Sequence, residues 1–522
     1  MDIVGHRTLR DLLLERKARF GRKPFVTFVD RSSSVTEYSY DAFVEQVERV
    51  AAGLAAQGIA KGDKVVIHLP NCPEFLFTWF GLAWIGAVMV PSNIANTAAE
   101  MGHVVSFSDA VGIVSAPEYR DMLDIVSASI PPVRTRILTG DPLPGNGWLP
   151  FAELLRHGAT PPDVDVTSDD LAELLFTSGT TARPKAVMLT HANCLFAGER
   201  EWRVLGLDAG DRCLTALPAF HVNAQTLTIL SALTVGASCV LLAEYSAGKF
   251  WDQVRRHRAT ALSLVAMQVR TLLAQPLRAT DSDHSVRRVM YAINVLDDER
   301  TEFERRFGVE LINGYGLSEA MTIVTIAPVH GEKRWPSIGL PALDRHVRIV
   351  DEHGDDVASG EVGQLIVGGV PGRNLMQGYY KDPQATRDAL RAGWLYTGDN
   401  AYTDEFGYVY FFDRRKDVIK VAGENVSASE VERVLLTHPA VAEAAVVSVR
   451  HAIRDEVPAA FVVRKPGTEL TPAAVVDYCA EHLAKFKIPR VVEICDQLPK
   501  TSIGKIEKKI LRQQVQTWEP IR

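Results

Sequence analysis

Short apolar segments alternate with longer, helix-like segments along most of the chain. The run KVVIHL predicts a strand over residues 64–69, and the residues after it predict a helix over 72–86. Further apolar runs predict strands over 111–115 and 238–242. Alternation of this kind indicates an α/β fold in which layered, mostly parallel sheets are flanked by helices.

The longest apolar run, FLFTWFGLAWIGAVMVP at residues 75–91, is shorter than a bilayer span and contains glycine. We expect a buried helix that leads into a strand, and no membrane span. The first residues, MDIVGHRTLRDLLLERKARFG, are mixed in charge and lack the apolar centre of a signal peptide. The six cysteines show no paired spacing. These features predict a cytoplasmic protein.

Composition excludes several classes of protein. The 522 residues are 47% hydrophobic and 23% charged, which is typical of a folded globular chain and excludes wholesale disorder. The formal net charge of −7 makes a general nucleic-acid binder a poor interpretation.

A change of pattern near residue 412 predicts a domain boundary. Strands and turns give way to the charged segment DRRKD at 413–417, and a smaller unit with its own helices and strands follows. Helices are predicted over 429–436 and 472–484, and strands over 444–449 and 459–463, before a basic tail. We therefore predict a large N-terminal domain over 1–412, a linker over 413–417 that is compatible with a hinge, and a small α+β domain over 418–522.

The segment LLFTSGTTARPKAV at residues 174–187 carries candidate chemistry. An apolar strand leads into a loop whose hydroxyls, backbone N–H groups and ammonium group suit phosphate oxygens. The residues concerned are Thr177, Ser178, Gly179, Thr180, Thr181 and Lys185. The loop is not a Walker A motif, because no Ser or Thr follows the lysine. On its own, such a cluster is explained as well by a polar surface turn.

Four later segments occur in a fixed order: NGYGLSE at 313–319, WLYTGD at 394–399, DRRKD followed by IKVAGEN at 413–425, and LPKTSIGKI at 498–506. Together with the loop, they resemble the adenylate-forming superfamily of acyl-CoA ligases, adenylation domains and luciferases. The resemblance covers nearly the whole chain. The segments at 1–5, 71–75 and 334–339 are most similar to the carnitine/crotonobetaine-CoA ligase type.

The resemblance implies an AMP-forming acyl-CoA ligase, in which a carboxylic acid and ATP form an acyl-adenylate and coenzyme A then displaces AMP. It implies nucleotide contacts from the loop, Gly314, Tyr315, Gly316, Ser318, Asp399 and Arg414, and Mg²⁺ binding by Glu319. Lys505 would act on the carboxylate and α-phosphate, and His221 would lie near the acyl carboxylate. The small domain would turn about Lys416 and bring Gly423 to a thiol tunnel.

Departures from the family pattern leave alternatives open. Ala182 and Ala186 stand where relatives usually carry glycine, and a methyl group there can exclude a positive φ. One alternative is therefore a ligase that only thioesterifies an acyl-adenylate supplied by a partner enzyme. Others are loading of a carrier-protein thiol and an inactive binding protein on the same scaffold. Small residues, namely Ala224, Ala292, Gly314, Gly316 and Ala320, suit either a bulky apolar acid or close strand packing.

Overall fold

The computed structural model describes residues 2–128, 133–140, 147–156, 160–177, 184–292, 295–414, 417–421, 424–451, 455–501, 504–516 and 518. Its helices are α1 (Leu9–Phe20), α2 (Tyr40–Ala56), α3 (Pro73–Trp84), α4 (Ala98–Phe107), α5 (Arg120–Ala128), α6 (Phe151–Arg156), α7 (His191–Leu205), α8 (Ser231–Val235), α9 (Ala247–Arg256), α10 (Ala266–Leu273), α11 (Asp297–Phe307), α12 (Pro383–Ala389), α13 (Ala428–Thr437), α14 (Pro472–His482) and α15 (Lys508–Gln516). A π-helix spans Ala224–Leu230, and 3₁₀ turns span Pro117–Tyr119 and Ser318–Ala320.

The strands of the N-terminal half are β1 (Pro24–Val29), β2 (Val35–Ser39), β3 (Lys64–His68), β4 (Val88–Pro91), β5 (Ala110–Ser115), β6 (Thr135–Leu138), β7 (Leu149–Pro150), β8 (Leu171–Thr177), β9 (Lys185–Thr190), β10 (Arg212–Thr215), β11 (Ser238–Leu242) and β12 (Ala261–Val265). Those that follow are β13 (Arg288–Ala292), β14 (Leu311–Gly316), β15 (Ile323–Ile326), β16 (Leu340–Pro341), β17 (His346–Val350), β18 (Gly363–Gly368), β19 (Gly378–Tyr379), β20 (Leu390–Arg391), β21 (Trp394–Thr403), β22 (Val409–Arg414), β23 (Val418–Val421), β24 (Glu424–Ser427), β25 (Val441–His451), β26 (Asp455–Arg464) and β27 (Val491–Cys495). The strands predicted at 64–69, 111–115 and 238–242 are confirmed as β3, β5 and β11.

Two large sheets have parallel centres; the first has antiparallel strands at both edges, and the second has them at one edge. One has the order β16-β15-β14-β13-β12-β10-β11-β1-β2, and the other has the order β19-β9-β8-β4-β3-β5-β6-β7. Strands β10 to β14 pair in parallel, as do β3 to β7, whereas β8 and β9 form an antiparallel hairpin. The predicted layered, mostly parallel α/β fold is confirmed for these sheets.

Two smaller sheets are largely antiparallel. One has the order β17-β18-β21-β20 with β22 beside β21, and the other has the order β24-β23-β26-β25 with β27 beside β26. The chain forms two compact units, of which one contains Met1–His346 and Val367–Leu395 and the other contains Val347–Ile366 and Tyr396–Arg522. The boundary predicted at 413–417 stays a prediction.

The apolar run at 75–91 forms α3 and then β4, as predicted. Pro73 begins the helix, where its missing N–H breaks no helical hydrogen bond. Phe75, Leu76, Trp79 and Phe80 are fully buried, so the helix is apolar on every face because it lies inside the core. Of the helices in the described residues, none combines the length and the apolar character needed to cross a membrane.

Candidate active site

The β8–β9 hairpin carries both ends of the predicted phosphate loop. Thr177, the last residue of β8, pairs with Lys185, the first residue of β9. The Thr177 hydroxyl donates a hydrogen bond to the Lys185 carbonyl oxygen at 3.4 Å. Both residues are half-buried, at the end of strands whose centres are buried. The two residues that flank the loop are therefore adjacent, at one end of the β8–β9 hairpin.

Most of the loop itself, namely Ser178, Gly179, Thr180, Thr181 and Ala182, lies outside the described residues. Ala186 is described: it is fully buried in β9 and pairs with Phe176. A strand has an extended backbone that alanine adopts without strain. The argument that a methyl group excludes a positive φ therefore does not apply at Ala186.

Strand β14 and the 3₁₀ turn after it carry a second group of predicted site residues. They are Gly314, Tyr315, Gly316, Ser318 and Glu319. A Cβ atom on Gly316 would lie 2.2 Å from the Thr322 carbonyl oxygen, so the return of the chain into β15 requires glycine. A Cβ atom on Gly314 would lie 2.8 Å from Cε of Met290. Close packing accounts for both glycines, and the interpretation as space for a bulky acid draws no support from them.

Tyr379, which sequence reasoning missed, contacts a residue of each group. Its hydroxyl donates a hydrogen bond to Oε1 of Glu319 at 2.9 Å, and Nζ of Lys185 lies 4.6 Å from the centre of its ring. The Met376 N–H donates to the Glu319 carbonyl oxygen at 2.8 Å. Burial and the nearby Glu319 carboxylate raise the pKa of Tyr379, so the hydroxyl keeps the proton that it donates.

Two buried arginines support the turn that follows Glu319. Arg345 donates to the carbonyl oxygens of Ala320 and Ile323, the latter at 3.0 Å. Arg200 donates to the Met321 carbonyl oxygen at 3.0 Å. These side chains are at most 5% exposed. The backbone carbonyls on the far side of the turn are therefore satisfied, and the turn holds Glu319 in a defined place.

His221 lies just before the π-helix, and Asn71 supports the segment that leads to it. The Asn71 side chain donates to the Leu217 carbonyl oxygen at 3.0 Å and accepts from the Ala219 N–H at 2.7 Å. The His221 N–H then donates to the Pro218 carbonyl oxygen at 3.0 Å. His221 is half-buried, and its ring centre lies 4.7 Å from that of Phe220. These bonds fix the backbone of the bend that carries His221. A residue that binds a ligand needs a backbone fixed in this way.

A buried carboxyl group lies four residues before Thr177 on the same strand. Glu173 is fully buried, and its Oε1 accepts a hydrogen bond from Nε2 of Gln225 in the π-helix at 3.0 Å. Its Oε2 has no hydrogen-bond partner among the described residues. Burial raises the pKa of Glu173 to about 8, although the hydrogen bond from Gln225 lowers it in part. The carboxyl group is therefore neutral at pH 7.

In the other unit, Asp399 and Arg414 occupy paired positions on adjacent strands. Asp399 of β21 pairs with Arg414 of β22, the side chain of which lies outside the description. Asp399 is 7% exposed, and its N–H donates to the Thr397 hydroxyl at 3.1 Å. Thr397 in turn donates to the Leu365 carbonyl oxygen at 2.7 Å. These bonds fix the backbone at Asp399, and the side chain it carries is buried.

Lys505 lies at the end of the same unit in a small hairpin. Lys500 bridges Ile506, and the Thr501 N–H donates to the Lys505 carbonyl oxygen at 2.8 Å. The Lys505 side chain is exposed. The hairpin leads into α15, where Lys508 forms an ion pair of 2.7 Å with Glu432. Gly423 and Lys416 lie outside the described residues.

The residues present fit Mg²⁺ only together with a phosphate ligand. Within the described ranges, no three His, Cys, Asp or Glu side chains are grouped so that they could hold a metal ion. Mg²⁺ in nucleotide sites is usually held by one or two carboxylates and by substrate phosphates. A single half-buried carboxylate, Glu319, is consistent with that arrangement.

Two models of known protein families match the chain, each over a different range of residues. A family model described as AMP-binding enzyme matches residues 13–380, and a model of the AMP-binding enzyme C-terminal domain matches residues 430–505. The crotonobetaine/carnitine–CoA ligase of Salmonella typhimurium strain LT2 is 40% identical over 517 residues, which are 98% of this chain and 100% of that protein.

Solved structures give the same result. An anthranilate CoA ligase in complex with anthranoyl-AMP superposes with a TM-score of 0.88 at 25% identity, covering 98% of each chain. ATP-bound MatB from Rhodopseudomonas palustris superposes with a TM-score of 0.85 at 26% identity, covering 98% of this chain and 99% of that one. The likeness thus extends to structures that hold ATP or an acyl-adenylate.

Proposed function

The chain belongs to the family of AMP-binding enzymes, and on this premise we propose that it is an acyl-CoA ligase that works through an acyl-adenylate. The observation that carries the proposal is the link in the first unit between the phosphate-loop hairpin and the Glu319 turn. Lys185 and Glu319 both contact Tyr379 there. A cation and a carboxylate held together by one side chain suit a magnesium–triphosphate ligand.

In the first step, a carboxylate oxygen of the acid attacks the α-phosphorus of ATP, and the bond to pyrophosphate breaks. The residues of the loop and the Lys185 ammonium group would bind the β- and γ-phosphates, on which negative charge develops. Ser318 would donate its hydroxyl to the α-phosphate. Lys505 would place its ammonium group between the carboxylate and the α-phosphate, so that two anionic groups approach each other.

The nucleoside would be held by residues of three of the sequence motifs. Tyr315, flanked by Gly314 and Gly316, would pack on the adenine, and Asp399 would accept hydrogen bonds from the ribose hydroxyls, with Arg414 beside it. Glu319 would hold Mg²⁺, whose charge offsets that of the phosphate oxygens.

In the second step, the thiol of coenzyme A attacks the acyl carbon and AMP leaves. The small domain would turn about Lys416 between the steps, removing Lys505 and bringing Gly423 to the path of the thiol. Glycine suits that position because the pantetheine chain passes close to backbone. His221 would lie near the acyl group in both steps.

We propose the quaternary-ammonium acids crotonobetaine and carnitine as the first acids to test, because a ligase for them is 40% identical over its whole length. The test is a panel of those acids with aromatic and aliphatic acids, ATP, Mg²⁺ and coenzyme A. AMP, pyrophosphate and acyl-CoA are measured together. The proposal predicts equal amounts of all three with at least one acid. Formation of ADP, or acyl-CoA from a supplied adenylate but never from acid and ATP, would contradict it.

A further inference from the structure

We propose that Tyr379 is a positioning residue for adenylation, which holds the Glu319 carboxylate ready for magnesium and the Lys185 ammonium group ready for phosphate. This inference rests on the proposed function, since both partners take their roles from it. It adds a residue that neither the sequence motifs nor the phosphate loop contains. The observation behind it is a single buried phenol in contact with both charged groups.

Tyr379 is itself held in place by its neighbours. It is 8% exposed and lies in β19, where it pairs with Val187 two residues after Lys185. Its N–H donates to the Thr386 hydroxyl at 2.8 Å, and the next N–H, of Tyr380, donates to the Ala186 carbonyl oxygen at 2.8 Å. The strand that carries the phenol, β19, is therefore paired with β9, the strand that begins with Lys185.

The two contacts of the phenol support each other. Its hydroxyl donates to a carboxylate oxygen of Glu319, and hydrogen bonds to charged acceptors are stronger than those between neutral groups. Such a bond moves electron density into the ring, and the Lys185 ammonium group lies over that ring, where a cation is attracted. Tyr379 thus restricts both side chains before any ligand is bound, which reduces the ordering that binding would otherwise require.

A positioning role of this kind belongs to one half of the reaction. The phosphates and magnesium act while the adenylate forms, whereas attack of the thiol on a preformed adenylate uses neither. Loss of the phenol contacts should therefore reduce adenylation and ATP binding and spare thioesterification. A merely structural tyrosine would affect both halves alike.

The test compares Tyr379→Phe, which removes the hydroxyl and keeps the ring, with Tyr379→Leu, which removes both contacts. The matched control is Tyr380→Phe, because the Tyr380 hydroxyl donates to Oδ2 of Asp109 at 2.8 Å on the exposed side of the same segment. Each full-length protein is titrated with ATP by calorimetry over a range of Mg²⁺ concentrations. Pyrophosphate release and thioesterification of a preformed adenylate are measured on the same samples.

We expect Tyr379→Phe to raise the Mg²⁺ concentration needed for half-maximal ATP binding roughly tenfold, which corresponds to about 1.4 kcal/mol. Tyr379→Leu should also weaken ATP binding at saturating Mg²⁺, and Tyr380→Phe should match the unaltered protein. Unchanged Mg²⁺ dependence in Tyr379→Phe, or equal losses in both half-reactions, would overturn the inference. If the unaltered protein released no pyrophosphate with any acid, the proposed function would fail instead, so the two failures are distinguishable.

Discussion

Replacing Glu173 by glutamine should stabilise the protein relative to the unaltered chain, and this gain in stability should grow as the pH rises. The substitution keeps the size of the side chain and an oxygen that can accept the hydrogen bond from Gln225. It removes the carboxyl group, which is fully buried and has one oxygen without a partner among the described residues. The effect is therefore expected from ionisation and not from packing.

The magnitude follows from the difference between the folded and unfolded chains. Burial raises the pKa of Glu173 from an ordinary value of 4.5 to about 8, so folding takes up a proton between those two values. The stability contributed by this group is complete below pH 4.5 and is lost as the pH rises toward 8. Each pH unit in that window costs about 1.4 kcal/mol, so the difference between pH 5.5 and pH 7.5 is about 3 kcal/mol.

Urea unfolding at pH 5.5 and pH 7.5 measures this difference in the unaltered protein and in Glu173→Gln. Relative to the unaltered protein, the variant should gain about 3 kcal/mol between the two pH values. Glu118→Gln removes a carboxylate from an exposed position and is the control, which should gain nothing. A difference in free energy of unfolding between Glu173→Gln and the unaltered protein that is the same at pH 5.5 and pH 7.5 would show that the carboxyl group is not neutral in the folded chain.

Three further outcomes test the small domain. Lys505→Ala should abolish ATP-dependent activation and spare thioesterification of a preformed adenylate, and equal loss of both activities would remove Lys505 from its assigned role. Gly423→Leu should do the reverse, and acyl-CoA formation at the full rate would show that no thiol passes there. Lys508→Met removes the ion-pair partner of the Glu432 carboxylate, which is 14% exposed and still accepts a hydrogen bond from the Val446 N–H, and should lower the free energy of unfolding by about 2 kcal/mol. Lys509→Met, at the exposed neighbouring position, should not lower it. Equal values in the two variants would contradict the importance of that ion pair.

The sequence predicts the fold well where an element is almost completely buried and therefore forms a continuous apolar run. The helix expected over 72–86 and the strand expected over 64–69 correspond to α3 and β3. Most residues of both elements are buried, so most of them are apolar and the elements can be recognised in the sequence. The basic tail is different: the sequence predicts only a basic tail there, whereas the structure has the helix α15, which buries Leu511 and Val515. With only two buried residues, the segment is mostly polar in composition, which favours the interpretation as a tail.

The residues of the candidate site also fall into those that the sequence predicts and those that it misses. Residues within motifs, such as Lys185 and Glu319, are found because their spacing along the chain is itself the signal. Tyr379 is missed because it lies 60 residues from Glu319 along the chain. The pairing of β19 with β9 and the hydrogen bond from the Met376 N–H to the Glu319 carbonyl oxygen bring it to the site, and neither is visible in sequence spacing. Glu173 is missed for another reason, since a charged residue in an apolar strand does not reveal from sequence alone that its partner is Gln225.

The most direct test of the central claim follows the oxygen atoms of the acid. The acid that gives the highest rate is labelled with ¹⁸O in both carboxylate oxygens, and AMP and acyl-CoA are analysed by mass spectrometry after one turnover. Formation of an acyl-adenylate predicts that one labelled oxygen is found in AMP and the other in the thioester carbonyl. Unlabelled AMP beside labelled acyl-CoA would contradict the account, because the carboxylate would then never have been joined to the α-phosphate.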